Sequence, residues 1–244
     1  MSFSKNIFIN DVFFASKYSP NISTIRTYLN FMKKIMNNYD GNIPNKTLVT
    51  DYLSKGINIS RCALDLLEDG FESEAFATWR TLHETECILT LFINYGKPMV
   101  DSYLNYAMAF RKIIKDEKEI DNIFVQIKSE MKDLDLKSKD TKKYIEYGYL
   151  SVIPETKNDV SFKFNFRDGV EKYAGLSSYS SLYEYSSEIA HSSPLMIYSN
   201  QKMLFHLTLA LIYEVFFRLE KIFSSIYLST SNDDVKKQYN VMRE

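Results

Sequence analysis

Residues Phe71 to Gly96 read FESEAFATWRTLHETECILTLFINYG, and this stretch decides the fold class. When the residues are placed at 100° intervals, apolar side chains surround most of the helical wheel. They are Phe71, Trp79, Leu82, Leu89 and Ile93 on one side and Ala77, Cys87, Ile88 and Leu91 on another. A helix that is apolar on most sides belongs at the centre of a protein. The stretch therefore predicts a central helix that ends at Gly96.

The spacing of glycine and proline extends this helical prediction to the rest of the chain. Seven glycines and five prolines in 244 residues leave long gaps, which favour long helices over many short strands. We predict an all-α, single-domain multi-helix bundle over residues 1–244, with the helices Phe71–Tyr95 and Leu204–Leu228 at its centre.

Three segments depart from this helical pattern. Phe162, Phe164 and Phe166 alternate with polar residues, which predicts a short irregular or extended insertion near residues 149–170. Residues 1–20 are expected to form an irregular N-terminal segment. Residues 229–244 are polar and are expected to be a disordered tail.

Composition restricts the cellular context. Thirty basic and 31 acidic residues give a formal charge of -1, so no overall basic field attracts nucleic acid. The longest apolar run contains His206 and Glu214 and is shorter than the roughly 20 residues that a membrane span needs. Cys62 and Cys87 lie in apolar helical patterns and are predicted to be buried thiols in a reducing compartment. We therefore predict a cytoplasmic protein without a membrane segment.

A second stretch, EYSSEIAHSSP from Glu184 to Pro194, carries a polar cluster. Helical spacing places Glu184, Glu188 and His191 on one face, opposite an apolar stripe and among short serine side chains. A histidine beside carboxylates is a candidate for acid–base chemistry. The alternative is a solvated face, on which the helix dipole stabilises a histidine in the last turn.

Charged residues also occur within the apolar helices. Arg80 and Glu84 are four positions apart and are predicted to enter the interior as a pair, either to fix the helix register or to line a site. Glu214, Arg218 and Lys221 share one stripe of the last helix, where structural pairing is expected.

Motifs for metals and nucleotides are incomplete. Glu188-x-x-His191 matches one of the two ligand pairs of a di-iron bundle, and a second copy is missing. The sequence LHETE lacks the second histidine of a zinc protease helix, and no phosphate-binding glycine motif occurs. We predict neither a metal nor a cofactor.

The two polar stretches together resemble a bacterial family, domain of unknown function five-six-seven-seven. An R-x-x-x-E helix of that family is matched by Arg80 and Glu84, and a Y-x-x-x-S-x-x-x-H helix is matched by Tyr183, Ser187 and His191. The resemblance covers roughly residues 59–227. That family is in turn distantly similar to HEPN domains, helical bundles that often dimerise and include metal-independent ribonucleases of toxin and antiphage systems.

Two functions of different class are predicted, the first implied by the resemblance and the second by the chemistry of the residues alone. As a defence or toxin-type ribonuclease, the chain would use His191 as the acid–base group, Glu184 or Glu188 as its partner and Arg80 to stabilise the phosphorane, with Glu84 beside it. HEPN nucleases usually carry an arginine four to six residues before the histidine, where this sequence has Tyr-Ser-Ser. The alternative is a non-catalytic binding or dimerisation module in which the same residues form a buried polar network. The expected partners are a second copy of the chain, RNA or another protein.

Overall fold

The structure, a computed structural model, describes residues 6–39, 46–111, 117–133, 140–191, 193–228 and 233–243. Within these ranges the regular elements are helical and no strand is found, which confirms the all-α prediction. The α-helices in chain order are α1 (Asn6–Asn38), α2 (Lys46–Glu68), α3 (Glu72–Arg111), α4 (Glu117–Asp133), α5 (Thr141–Tyr147), α6 (Ser180–Ala190), α7 (Leu195–Tyr198), α8 (Gln201–Phe223) and α9 (Asp233–Arg243). None of the described helices is long and apolar enough to cross a membrane.

The chain divides into two compact units. Unit 1 combines Met1–Glu86 with Ser181–Glu244, and unit 2 is the intervening segment Cys87–Ser180. The first boundary falls inside α3, where the helix continues without a break. Because no loop marks that boundary, the sequence carries no linker signal there. The single-domain organisation stays a prediction.

The core of unit 1 is built where α1, α2 and α8 pack against one another. Its fully buried side chains include Leu29 and Met32 of α1, Leu53 and Leu64 of α2, and Ile212 and Leu219 of α8. Gly56 allows a close approach of α2 to α8, because a Cβ at this position would lie 3.3 Å from a methyl group of Leu219. Trp79 and Leu82 of α3 are also fully buried, as the opening stretch predicts, whereas Phe71 on the same predicted side is 52% exposed.

Both ends of the chain are more helical than expected. The segment predicted to be irregular is helical from Asn6 onward, because neither glycine nor proline interrupts it before Pro20, which the helix accommodates. The tail predicted to be disordered contains α9, whose polar sequence is anchored by one residue. Tyr239 is buried, its hydroxyl donates to Glu220, and its ring lies 5.8 Å from that of Phe223. Residues 1–5, 229–232 and 244 lie outside the described ranges.

The predicted end of the central helix corresponds to a kink. Gly96 has φ +63°, in the left-handed region that favours glycine, and it interrupts the helical geometry of α3. Pro98 follows within the first turn after the kink, a position that tolerates the missing N–H group. The second part of α3, from this kink to Arg111, belongs to unit 2.

The insertion near residues 149–170 consists of short turns. Two 3-10 helices, Gly148–Val152 and Pro154–Asn158, precede an irregular stretch and a π-helical turn at Phe166–Glu171. Phe164 packs edge-on against the buried Tyr144 with ring centres 4.9 Å apart, and Phe162 packs against Phe164 at the same distance. The alternating phenylalanines thus attach an irregular loop to the core of unit 2 and do not form a strand.

Candidate functional site

Arg80 and Glu84 form the ion pair that their spacing predicts, with Arg80 Nη2 2.9 Å from Glu84 Oε1. Tyr183 of α6 joins them, since its hydroxyl accepts from Arg80 Nη2 at 2.9 Å and donates to Glu84 Oε1 at 2.5 Å. The guanidinium carbon also lies 4.9 Å from the centre of the Tyr183 ring, within cation–π range. We call these three residues the polar circuit. It ties α3 to α6.

The polar circuit lies at the edge of unit 1. The side chains of Arg80 and Glu84 retain 27% and 34% exposure, so the prediction that the pair enters the interior is wrong. The inward face of α3 is occupied by Trp79 and His83, which are fully buried and displace the pair toward solvent. Arg80 Nε is buried and has no acceptor among the described residues.

A second charged pair lies deeper, at the junction of α3 with α8. Arg218 holds the fully buried carboxylate of Glu86 with two hydrogen bonds, from Nε to Oε1 and from Nη2 to Oε2 at 3.2 Å. Such two-point contacts are the strong form of an arginine–carboxylate pair. The predicted pairing of Arg218 with Glu214 is confirmed as a looser contact of 3.7 Å.

His83, the first of the three histidines in the chain, lies between these two groups. The imidazole of His83 stacks on Trp79 with ring centres 5.2 Å apart and lies 6.0 Å from the Tyr183 ring. Its Nδ1 is 4.0 Å from Glu86 Oε2. The buried layer of α3 therefore places aromatic and polar side chains between the polar circuit and the Glu86–Arg218 pair.

The other predicted site residues lie on the outer face of α6. Glu184, Glu188 and His191 are exposed, as the helical wheel predicts. His191 follows the last residue of α6, and its main-chain N–H donates to Ser187 O at 3.1 Å. Eight positions separate Tyr183 from His191, a rise of about 12 Å along a helix. The structure thus brings Arg80 and Glu84 to Tyr183, and none of the hydrogen bonds or ion pairs among the described residues joins them to His191.

These geometries determine what the site can do chemically. Within the polar circuit the guanidinium charge is balanced by Glu84, and the Tyr183 hydroxyl both accepts and donates a hydrogen bond. Such an arrangement stabilises the contact between two helices. Among the described residues, no group of three or more metal-ligating side chains lies together.

Sequence reasoning did not identify His83 and Glu86 as candidate site residues. His83 and Glu86 follow Trp79 at the i+4 and i+7 positions of one helical stripe, and this spacing was a usable signal. Their partner Arg218 lies 132 residues away in sequence, so only the fold identifies it. Tyr183 was identified as a position in the family motif and not as a partner of Arg80 and Glu84.

One predicted buried thiol is exposed. Cys87 is buried as expected, whereas Cys62 is exposed and the prediction for it is wrong. It lines a groove of about 400 Å³ between α2 and α3. The facing side chains of α3 are Ala77, Thr78 and Thr81, which are too short to cover it.

A comparison with known protein families supports the family resemblance that the two motif helices indicate. The model of the Family of unknown function (DUF5677) matches residues 46–203, which include the polar circuit and His191. The chain belongs to this family. The DUF5677 match spans α2 through the start of α8, so α1, α9 and most of α8 lie outside it. No curated protein and no solved structure matches the chain.

Proposed function

We propose that this DUF5677 member is a non-catalytic helical module of the cytoplasm that acts as a homodimer. The main observation in support of a non-catalytic role is the polar circuit of Arg80, Glu84 and Tyr183. Arg80, the one cation that the ribonuclease hypothesis requires, is already bound by Glu84 and Tyr183 of the same chain. Both contacts use Nη2, and the Glu84 carboxylate balances the positive charge that a phosphate would need.

The distance between the two halves of the predicted site supports the same conclusion. A phosphate bridges groups that are only a few ångströms apart, and the axial separation of about 12 Å between Tyr183 and His191 exceeds this span. Glu188, which precedes His191 on the exposed face, would repel a phosphodiester. The residues of the family motif therefore support helix packing better than catalysis.

An exposed aromatic surface on unit 1 supports dimerisation. Phe217 of α8 is 60% exposed, and its ring lies 5.4 Å from Phe216 and 6.1 Å from Tyr213. Together with Tyr28 of α1, these side chains line a mainly apolar groove of about 210 Å³. Exposed aromatic clusters of this kind mark surfaces that bind other proteins.

Light scattering coupled to size exclusion tests the homodimer. The wild type is expected at 57.2 kDa, twice the 28.6 kDa of one chain, and Phe217→Glu at 28.6 kDa. Phe71→Glu is the matched control, because Phe71 is 52% exposed on the same unit and lies outside the groove. It should remain dimeric. A wild type that elutes as a monomer would exclude the proposal.

The second candidate is a HEPN-like ribonuclease of bacterial defence, favoured by the accessibility of His191. In this case His191 takes the proton of the 2′-hydroxyl or protonates the leaving oxygen, with Glu188 or Glu184 as its partner. Because the chain's own Arg80 is distant, the arginine over the phosphorane would come from the second copy of a dimer.

RNA cleavage in the presence of EDTA distinguishes the two candidates. The non-catalytic proposal predicts that wild type and His191→Ala leave labelled RNA equally intact. If the wild type cleaves the RNA and a folded His191→Ala variant does not, the ribonuclease becomes the preferred function and the non-catalytic module is rejected.

A further inference from the structure

Unit 2 contains a polar cavity that the proposed function does not use. It has a volume of about 230 Å³ and lies where α3 and α4 meet the 3-10 helix Gly148–Val152. Its polar lining consists of Ser102, Asn105, Tyr106, Gln126, Glu130 and Ser151. This composition differs from the apolar groove of unit 1 and calls for a polar ligand.

Neutral donors hold the carboxylate of Glu130 in place at this cavity. Oε2 accepts from the hydroxyl of Tyr106 and from that of Tyr144 at 3.1 Å, and Oε1 accepts from Gln126 Nε2 at 2.9 Å. Burial and the hydrogen bond to Glu130 raise the pKa of Tyr106 far above its usual range. The tyrosine therefore remains a protonated donor and does not neutralise the carboxylate.

Glu130 also lacks a cationic partner within the described part of the chain. No lysine, arginine or histidine is among the described lining residues, and no described cation lies within ion-pair distance of Glu130. Glu68, Glu84 and Glu86 of unit 1, by contrast, each contact an arginine. Within the described residues, the cavity therefore presents a carboxylate that no cation of the chain contacts.

We propose that this cavity binds a primary ammonium group on a short chain, with Glu130 as its counter-ion. Two tyrosine hydroxyls occupy both lone pairs of Oε2, and Gln126 occupies one of the two on Oε1. A guanidinium needs one free position on each oxygen for its two-point contact, whereas an ammonium needs only the remaining position on Oε1.

Neighbouring acceptors match the other two N–H groups of an ammonium. Asn105 offers an amide oxygen, and the Ser102 hydroxyl retains its lone pairs because it donates to Tyr149 O at 3.4 Å. Val152 and Ile127 supply apolar surface for the first carbons of the chain that carries the ammonium.

An NMR titration of the full chain with n-butylammonium tests this proposal. The side-chain amide signals of Asn105 and Gln126 should shift with a Kd of about 1 mM or lower. Sodium butyrate and 1-butanol, which have the same chain length, should not shift them, and ethylguanidinium should bind more weakly. Glu130→Gln should weaken butylammonium binding by at least about tenfold. Glu146→Gln removes an exposed charge outside the cavity and should bind like the wild type.

Each result decides for or against the proposal. Equal shifts with butyrate or butanol, tighter binding of ethylguanidinium, or no shift with butylammonium would overturn it. So would a folded Glu130→Gln that binds as well as Glu146→Gln. If Glu130→Gln does not fold, the wild-type series of four probes still distinguishes an ammonium site from a non-selective cavity.

Discussion

Glu86 in unit 1 and Glu130 in unit 2 are both carboxylates on helices, and their partners differ in charge. Glu86 is fully buried and held at two points by Arg218. Glu130 is held by two tyrosine hydroxyls and a glutamine amide. A carboxylate that is neutralised within the chain can only stabilise the fold. A carboxylate that, among the described residues, is contacted only by neutral donors can pair with a cationic ligand, as proposed for Glu130.

The largest effect is expected when the cation beside Glu86 is removed. Arg218→Met should lower the free energy of unfolding by about 3–5 kcal/mol, because it leaves a buried carboxylate without its partner. Chemical denaturation measures the change.

Glu214 provides the control for this variant. Its contact with Arg218 is longer, and its side chain is 51% exposed. Glu214→Gln should therefore change the free energy of unfolding by at most about 0.5 kcal/mol. Equal losses in the two variants would show that burial of Glu86 does not distinguish it from a surface charge.

The next largest effect is a loss of folding stability at alkaline pH, caused by the tyrosines around Glu130. The unfolded chain releases the Tyr106 proton near pH 10.0, while the native state retains it because the folded pKa is raised. The native state then binds more protons than the unfolded state, so stability is complete below pH 10.0 and falls above it.

Denaturation at pH values from about 9 to about 12 measures this loss, which should be about 1.4 kcal/mol per pH unit for each retained proton. Tyr106→Phe should remove one such contribution and flatten the pH dependence. An unchanged slope would mean that Glu130 does not hold a neutral phenol in the folded state.

A smaller effect is expected in the polar circuit. Tyr183→Phe keeps the ring over Arg80 but removes the hydroxyl that accepts from Arg80 and donates to Glu84. The free energy of unfolding should fall by about 1 kcal/mol. Tyr198→Phe is the control, because Tyr198 is 81% exposed, and its stability should match the wild type.

The smallest effect is expected at the end of α6. His191 is exposed, and the structure does not bring it to the polar circuit. His191→Ala should change the free energy of unfolding by less than about 0.5 kcal/mol in thermal or chemical denaturation. A loss above about 1 kcal/mol would instead place His191 in the packing of unit 1.

Local signals predicted the helices that begin or end at special residues. Gly96, where the sequence predicts the end of the central helix, adopts positive φ and kinks α3, whereas the cap that Asn200 provides for α8 by accepting from Met203 N at 3.1 Å was not predicted. The tail was mispredicted because α9 is polar, and its buried contact through Tyr239 is not visible in the composition. Composition reports average polarity and does not reveal a single buried contact.

Part of the candidate site follows from helical spacing, and the rest depends on where helices cross. The four-residue spacing of Arg80 and Glu84 was sufficient to predict their ion pair. The meeting of α3 with α6 at Tyr183, two turns before His191, is set by packing along the helix axis. Sequence periodicity fixes the face of a helix and carries no information about that axial position.

A double-mutant cycle between Arg80 and Tyr183 tests the central claim most directly. Arg80→Met, Tyr183→Phe and the double variant are compared by the free energy of unfolding. We predict a coupling of about 1 kcal/mol, because Arg80 is bound by the chain itself. A coupling near zero, with metal-independent RNA cleavage that is lost in Arg80→Met, would contradict the account.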